Sequence, residues 1–193
     1  MATNTPALIA FYSPAPQMGK TTATRFLTEG LGYKIVKFAA PVKTITATFL
    51  LEIGVPKDEV DDFLDGHRKE ESLAAYGFDH LTSRYIQQVV GTDLGRRKLD
   101  PNIWTTVAGR KVRNLLDRGE RVVMDDMRFP NEYDMVKQMG GECWCIYNPR
   151  VPIPVSDHPS EGLLSNHSFN VALINDGTIE DLERQILDHI TRF

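Results

Sequence analysis

A chain of 193 residues, 41% hydrophobic and 25% charged, suits one globular domain with a sizeable core. Its net charge of -4 argues against a polynucleotide as main partner, and no apolar run approaches the ~20 residues of a membrane span. The opening residues Met1 to Pro6 hold no basic segment, so no signal peptide is expected. Cys143 and Cys145 alternate along a strand and read as small buried apolar residues of a reduced, cytoplasmic protein.

Apolar runs and helical patterns alternate along the chain. Ala7 to Tyr12 reads as a first strand and Lys20 to about Leu31 as a helix closed by Gly30 and Gly32. Tyr33 to Phe38 is a second strand. Pro41 then opens a helix carrying Val42, Ile45, Phe49, Leu50 and Ile53, stopped by Gly54 and Pro56. Lys57 to Phe78 is charged and weakly periodic, with a short helix around Asp58 to Leu64 and a loop around Gly66 to Ser72. Thr82 to Arg97 predicts a helix with Ile86, Val89, Val90 and Leu94 on its apolar face. Gly91 inside it suggests close approach of a ligand or a second helix.

Ala108, Val112, Leu115 and Leu116 give a further helix ending at Gly119. Arg121 to Met124 is a buried strand ending in Asp125 and Asp126. Pro130 to Met139 is a helix, Glu142 to Tyr147 a fourth strand and Phe169 to Ile174 a fifth. Between the last two strands, Asn148 to His167 is a long polar excursion of the kind that forms lids. Thr178 with Asp181 gives a capping-box-like start to a last helix, whose expected buried stripe is Ile179, Leu182, Ile186 and Ile190. Strands alternating with helices predict an α/β fold with a parallel sheet covered on both faces and a ligand crevice at the strands' carboxyl ends.

The stretch Ser13 to Thr22 stands where the first strand ends and a helix begins. Gly19-Lys20-Thr21 matches the second half of G-x-x-x-x-G-K-[ST], in which backbone N–H groups cradle phosphates. Lys20 would reach the terminal phosphates and the Thr21 hydroxyl would hold Mg²⁺. Pro14 replaces the first glycine, and proline cannot copy a glycine that needs positive φ.

Other strand ends add candidates. Asp125 and Asp126 end the third strand; Asp126 is the preferred Mg²⁺ partner, through water, with helix capping as the alternative for either acid. Arg128 follows, placed either to stabilise a transferring phosphoryl group or in a surface ion pair. Phe38 ends the second strand and suits either base stacking or core packing, and Lys43 would meet a phosphate. Arg84, Gln88 and Thr92 at i, i+4 and i+8 line one helix face, a set equally suited to a nucleotide or to solvent, with Asp93 beside them. The polar excursion adds Arg150, His158, Ser160, Glu161 and His167, with His158 read more readily as a surface residue than a catalyst.

These pieces, with Arg68-Lys69-Glu70, Gly91-Thr92-Asp93, Arg96, Asp126 to Glu132, His158 to Glu161 and Asn175-Asp176-Gly177-Thr178, resemble in order and spacing the bacteriophage deoxynucleoside monophosphate kinases. The last pattern is also seen in dephospho-coenzyme A kinases. The resemblance implies a P-loop kinase three-layer sandwich with a five-stranded parallel sheet, as one domain over 1–193 with a helical acceptor-binding insertion at 54–102 and a lid-like segment at 148–168. It implies transfer of the ATP γ-phosphate, with Mg²⁺, to a deoxynucleoside monophosphate, in support of bacteriophage DNA synthesis in the host cytoplasm. By the same resemblance Gln17, Met18, Gly19, Lys20, Thr21 and Thr22 grip the ATP phosphates and Asn175, Gly177 and Thr178 lie against adenine. Phe38, Lys43, Lys69, Glu70, Arg84, Gln88, Thr92 and Asp93 line the acceptor site. Lys20, Asp126, Arg128 and Arg150 serve the transfer, both arginines bridging the phosphates. Small-molecule nucleotides are the expected partners, without nucleic acid or membrane, and a homodimer is compatible. Another small-molecule P-loop kinase, or an ATP-binding module without turnover, remains the alternative.

Overall fold

The computed structural model of the chain describes residues 5–153 and 163–191. His158, Pro159, Ser160 and Glu161 lie outside the described residues. In chain order the elements are strand β1 (Leu8–Tyr12), helix α1 (Lys20–Arg25) continued by a π-helical turn (Phe26–Gly30), β2 (Lys34–Ile35), α2 (Ala40–Glu52), α3 (Val60–Leu64), β3 (Ser72–Leu73), β4 (Phe78–Thr82) and α4 (Ser83–Gln88), itself continued as a π-helix (Val89–Leu99). Then follow α5 (Ile103–Leu116), β5 (Val122–Met124), α6 (Pro130–Gln138), β6 (Glu142–Tyr147), β7 (Val171–Ile174) and α7 (Ile179–Thr191).

The chain divides into two compact units, Met1–Phe38 with Ala108–Phe193, and Ala39–Val107. The first is built on a five-stranded parallel sheet of order β2-β5-β1-β6-β7. The two faces of the sheet follow from the period of two along a strand. Leu8, Ala10 and Tyr12 face one apolar cluster with Ala108 and Val112 of α5 and Val136 of α6. Ile9 and Phe11 face the other, with Ala23 of α1 and Leu182, Ile186 and Ile190 of α7. Helices on both faces explain why every residue of β1 is apolar and buried. The sheet branches at β1, whose neighbours β5 and β6 lead to opposite edges, so the crevice beyond its carboxyl end is the natural ligand position.

The second unit packs α2, α3, α4 and the antiparallel β3–β4 pair around Leu50, Val55, Val60, Phe63, Leu64 and Leu73. It spans more than the expected insertion at 54–102, since it also takes in α2 and the first turn of α5. The β3–β4 pair carries no strand signal in the sequence: β3 is only 2 residues long, and Gly77 at φ +88° interrupts the stretch before β4.

Three expected apolar positions are corrected. Ile45, Leu94 and Ile179 are exposed, whereas Thr46 is buried and donates its hydroxyl to the Val42 carbonyl at 3.0 Å. For Leu94 the cause is the π-helix beginning at Val89, whose wider turn changes the phase of the helix face. The same change means that Arg84, Gln88 and Thr92 do not follow one straight α-helical line.

Candidate active site

The loop from Ser13 to Gly19 leaves β1 and delivers Lys20 to the first position of α1. Two of its residues take left-handed backbone conformations, Gln17 at φ +62° and Gly19 at φ +107°. Pro14 is not one of them, so the proline in place of the expected glycine is compatible with the turn formed here. The Ser13 hydroxyl donates to the Ala15 carbonyl at 2.7 Å and accepts from the Lys20 ammonium. Gly19 has no room for a side chain, since a Cβ there would stand 2.4 Å from Asn175 Nδ2.

Lys20 is the electrostatic centre of the first unit. Burial pushes its ammonium down to about 8, and the guanidinium of Arg128 acts in the same direction. Asp125, Asp126 and Cys145 oppose that shift. A lysine so placed is a cation short of solvation, held by the Ser13 hydroxyl.

The two acids at the end of β5 have different work. Asp126 Oδ1 accepts the Phe38 N–H at 3.0 Å and so joins the ends of β5 and β2. Asp125 Oδ2 pairs with Lys37 at 3.1 Å, while its Oδ1 is buried with no hydrogen-bond partner. Phe38 itself is 2% exposed in the core cluster, so of its two readings the ring takes core packing rather than base stacking. Its contribution at the strand end is the backbone N–H.

Arg128 is exposed on the turn that starts α6. Glu132, 2% exposed, accepts the N–H groups of Arg128 at 2.7 Å and Phe129 at 3.0 Å. This carboxylate satisfies donors that a helix start leaves orphaned and holds the turn that carries Arg128. The sequence alone gives Glu132 no role of its own. Its signal was its place two residues after Pro130, the third turn position of a helix beginning.

Arg150 also lies in the first unit. Its N–H donates to Asn148 Oδ1 at 2.9 Å and its Nη2 to the Asp176 carbonyl at 2.5 Å. That places it against the Asn175–Thr178 loop. Thr178 and Asp181 form the reciprocal cap expected of them: Thr178 N–H donates to Asp181 Oδ2 at 3.0 Å and Asp181 N–H to Thr178 Oγ1 at 3.2 Å.

Every acceptor-side candidate except Phe38 lies in the second unit. Lys43 pairs with Asp65 at 2.5 Å, Arg84 with Glu70 at 3.0 Å and Asp93 with Arg97 at 2.8 Å. Arg68, of the same motif as Lys69 and Glu70, is gripped by Glu59 and Glu71 and lies 4.1 Å from the centre of the Phe63 ring. Arg68 is thus structural, whereas Lys43 and Arg84 each rest on a single carboxylate partner among the ion pairs named here. Asp65 was missed by sequence reasoning, because a partner 22 residues from Lys43 leaves no local signal.

Residues 67–186 match the family model described as deoxynucleotide monophosphate kinase. A "Putative deoxynucleotide monophosphate kinase" of Acanthamoeba polyphaga mimivirus is 34% identical over 182 residues, 88% of this chain and 89% of that protein. An uncharacterized protein of Ictalurid herpesvirus 1 (strain Auburn) is 34% identical over 106 residues, 53% of this chain and 46% of that one. Among solved structures, a dephospho-CoA kinase from Campylobacter jejuni covers 97% of this chain and 98% of its own, with 13% identity and a TM-score of 0.48.

Proposed function

The chain belongs to the deoxynucleotide monophosphate kinase family and is thereby a nucleotide kinase, and from that premise we propose that it transfers the γ-phosphate of ATP to a deoxynucleoside monophosphate to give the diphosphate. The observation that carries the reading is the surroundings of Lys20. A poorly solvated ammonium opens α1, with Arg128, Asp125 and Asp126 acting on it electrostatically. Phosphoryl transfer asks for positioning and for charge at the transferring group rather than for covalent help. Lys20 and Arg128 supply that charge, and the backbone of Gln17 to Thr22 supplies the cradle.

Mg²⁺ fits the donors present. The Thr21 hydroxyl and the β5 carboxylates are hard oxygens, and the buried, unpartnered Asp125 Oδ1 adds a candidate beside Asp126. Bound there, the ion would neutralise charge on the phosphates. Among the described residues no group of three or more His, Cys, Asp or Glu side chains could hold a metal, which suits an ion held mainly by phosphate and water. The loop Asn175 to Thr178 lies against adenine in this reading. Arg150, seated on that loop, bridges the phosphates on moving away from the Asp176 carbonyl. Lys43, Lys69, Glu70, Arg84, Gln88, Thr92 and Asp93 bind the acceptor. The relatives named above are viral, which supports a role in supplying precursors for viral DNA, and we place that role in the cytoplasm of a host cell as part of the same proposal. A homodimer is the proposed assembly, checked by light scattering on the purified chain.

The test is ADP release with ATP, Mg²⁺ and a panel of deoxy- and ribonucleoside monophosphates, with dephospho-coenzyme A included. Turnover is expected on one or more deoxynucleotides, falling at least ~100-fold in Lys20→Ala, the scale on which lost transition-state charge stabilisation is felt. Turnover on dephospho-coenzyme A alone, or on nothing, would overturn the assignment.

A further inference from the structure

Asn175 lies on the loop read above as part of the adenine site, yet its side chain is engaged elsewhere. Its Nδ2 donates to the Met18 carbonyl at 3.1 Å. Met18 is held a second time, by the Asn148 N–H on its sulfur at 3.1 Å, and is 1% exposed. Gly19 is pressed on the same amide, since a Cβ there would meet Asn175 Nδ2 at 2.4 Å and Cγ at 3.2 Å. Asn175 is in turn fixed to the sheet, its N–H donating to the Tyr147 carbonyl at 2.8 Å just past the paired β6–β7 register.

We infer that Asn175 is a positioning residue for the phosphate cradle rather than a reader of adenine. The argument is one of peptide geometry. In a planar trans peptide the C=O and N–H point in opposite directions. Pinning the Met18 carbonyl onto Asn175 therefore turns the Gly19 N–H away from it. Gly19 is held at φ +107°, and its carbonyl accepts the Ala23 N–H at 3.0 Å, the first helical bond of α1. One side-chain amide thereby fixes both sides of the Met18–Gly19 link, on the residue just before Lys20. The cradle depends on β7 as well as on its own glycine.

This inference rests on the proposed binding of ATP at the loop, and the experiment separates the two. Inorganic tripolyphosphate, adenosine and ATP are titrated by calorimetry, with Mg²⁺ for the phosphate ligands, into wild type, Asn175→Ala and Asn175→Asp. The aspartate is nearly isosteric but presents an acceptor to the Met18 carbonyl. Both variants are expected to bind tripolyphosphate and ATP at least ~10-fold more weakly and by a similar factor, with adenosine affinity unchanged. Weakening of adenosine and ATP with tripolyphosphate untouched would overturn the inference in favour of base reading. No change in any ligand would overturn it too. A wild type that binds neither tripolyphosphate nor ATP would remove the ATP reading itself, and this inference with it. Should either variant lose its cooperative melting transition, amide resonances of the wild type decide. The Gly19 N–H and the Asn175 side-chain amide are expected to shift together on adding tripolyphosphate, and a stationary Gly19 signal overturns the inference.

Discussion

At the scale of single residues, buried polar groups take more than one role here, and their partners tell the roles apart. Lys20 is left short of solvation by burial, while Glu132 accepts two backbone N–H groups inside the fold. Glu132→Ala should lower stability by roughly 2–3 kcal/mol, because two helix-start N–H groups lose a charged acceptor. Glu132→Gln, which keeps an acceptor oxygen, should lose less than half as much, and urea unfolding of both variants measures this. The cysteines give a second prediction. Cys143 is fully buried and its thiol is pushed up to about 12 by burial, while burial also raises Cys145. A raised thiol pKa means less thiolate at any pH below it. At pH 8.5 iodoacetamide should label no more than one thiol of the folded chain, at Cys145, and both in denaturant; mass spectrometry of the peptides decides. The spacing of the two cysteines showed that they share a sheet face. It could not show that only one of them is sealed.

At the scale of elements, the informative one is the helix that begins as α4 and widens into a π-helix. Its two glycines have different reasons. Gly95 faces Trp104, and a Cβ there would stand 2.5 Å from the indole. At Gly91 a Cβ would make only ordinary contacts, 3.7 Å from Val42, while its carbonyl accepts Trp104 Nε1 at 2.7 Å. So α5 meets Gly91 through the backbone oxygen, and the close approach expected from the missing side chain is found at Gly95 instead. Gly95→Ala should cost ~1–3 kcal/mol by overpacking. Gly91→Ala should be neutral or add up to ~1 kcal/mol from helix propensity. Thermal melts of the two variants check the pair, with Gly95→Ala below wild type and Gly91→Ala at or above it. The boundary of α4 was legible from Thr82, whose hydroxyl accepts the Tyr85 N–H at 3.1 Å. The π-helix was not legible, since the apolar spacing of the stretch reads as an ordinary α-helix.

At the scale of the molecule, the parallel sheet and its branch at β1 decide where chemistry can occur. β1 is buried along its whole length between two hydrogen-bonded neighbours, so its amides should be the slowest to exchange, reporting global unfolding. Hydrogen exchange read by mass spectrometry should rank the peptide over Leu8 to Tyr12 as the most protected; faster exchange there than in β7 would contradict the strand order. Among the described residues no helix is long and apolar enough to cross a membrane. The sequence by itself determined the alternation of strands and helices, the parallel sheet, the Gly19-Lys20-Thr21 turn and the cap of α7. These rest on periodicity and on residues whose backbone or side-chain chemistry acts over one turn of chain. Only the tertiary structure decided the order of strands, the pairing of Lys43 with Asp65, the core place of Phe38, and the division of work between Asp125 and Asp126. It also decided that Asn175 holds the Met18 carbonyl, 157 positions away. Such contacts join distant segments, and they are set by which surfaces are buried against one another, a property that no local pattern carries.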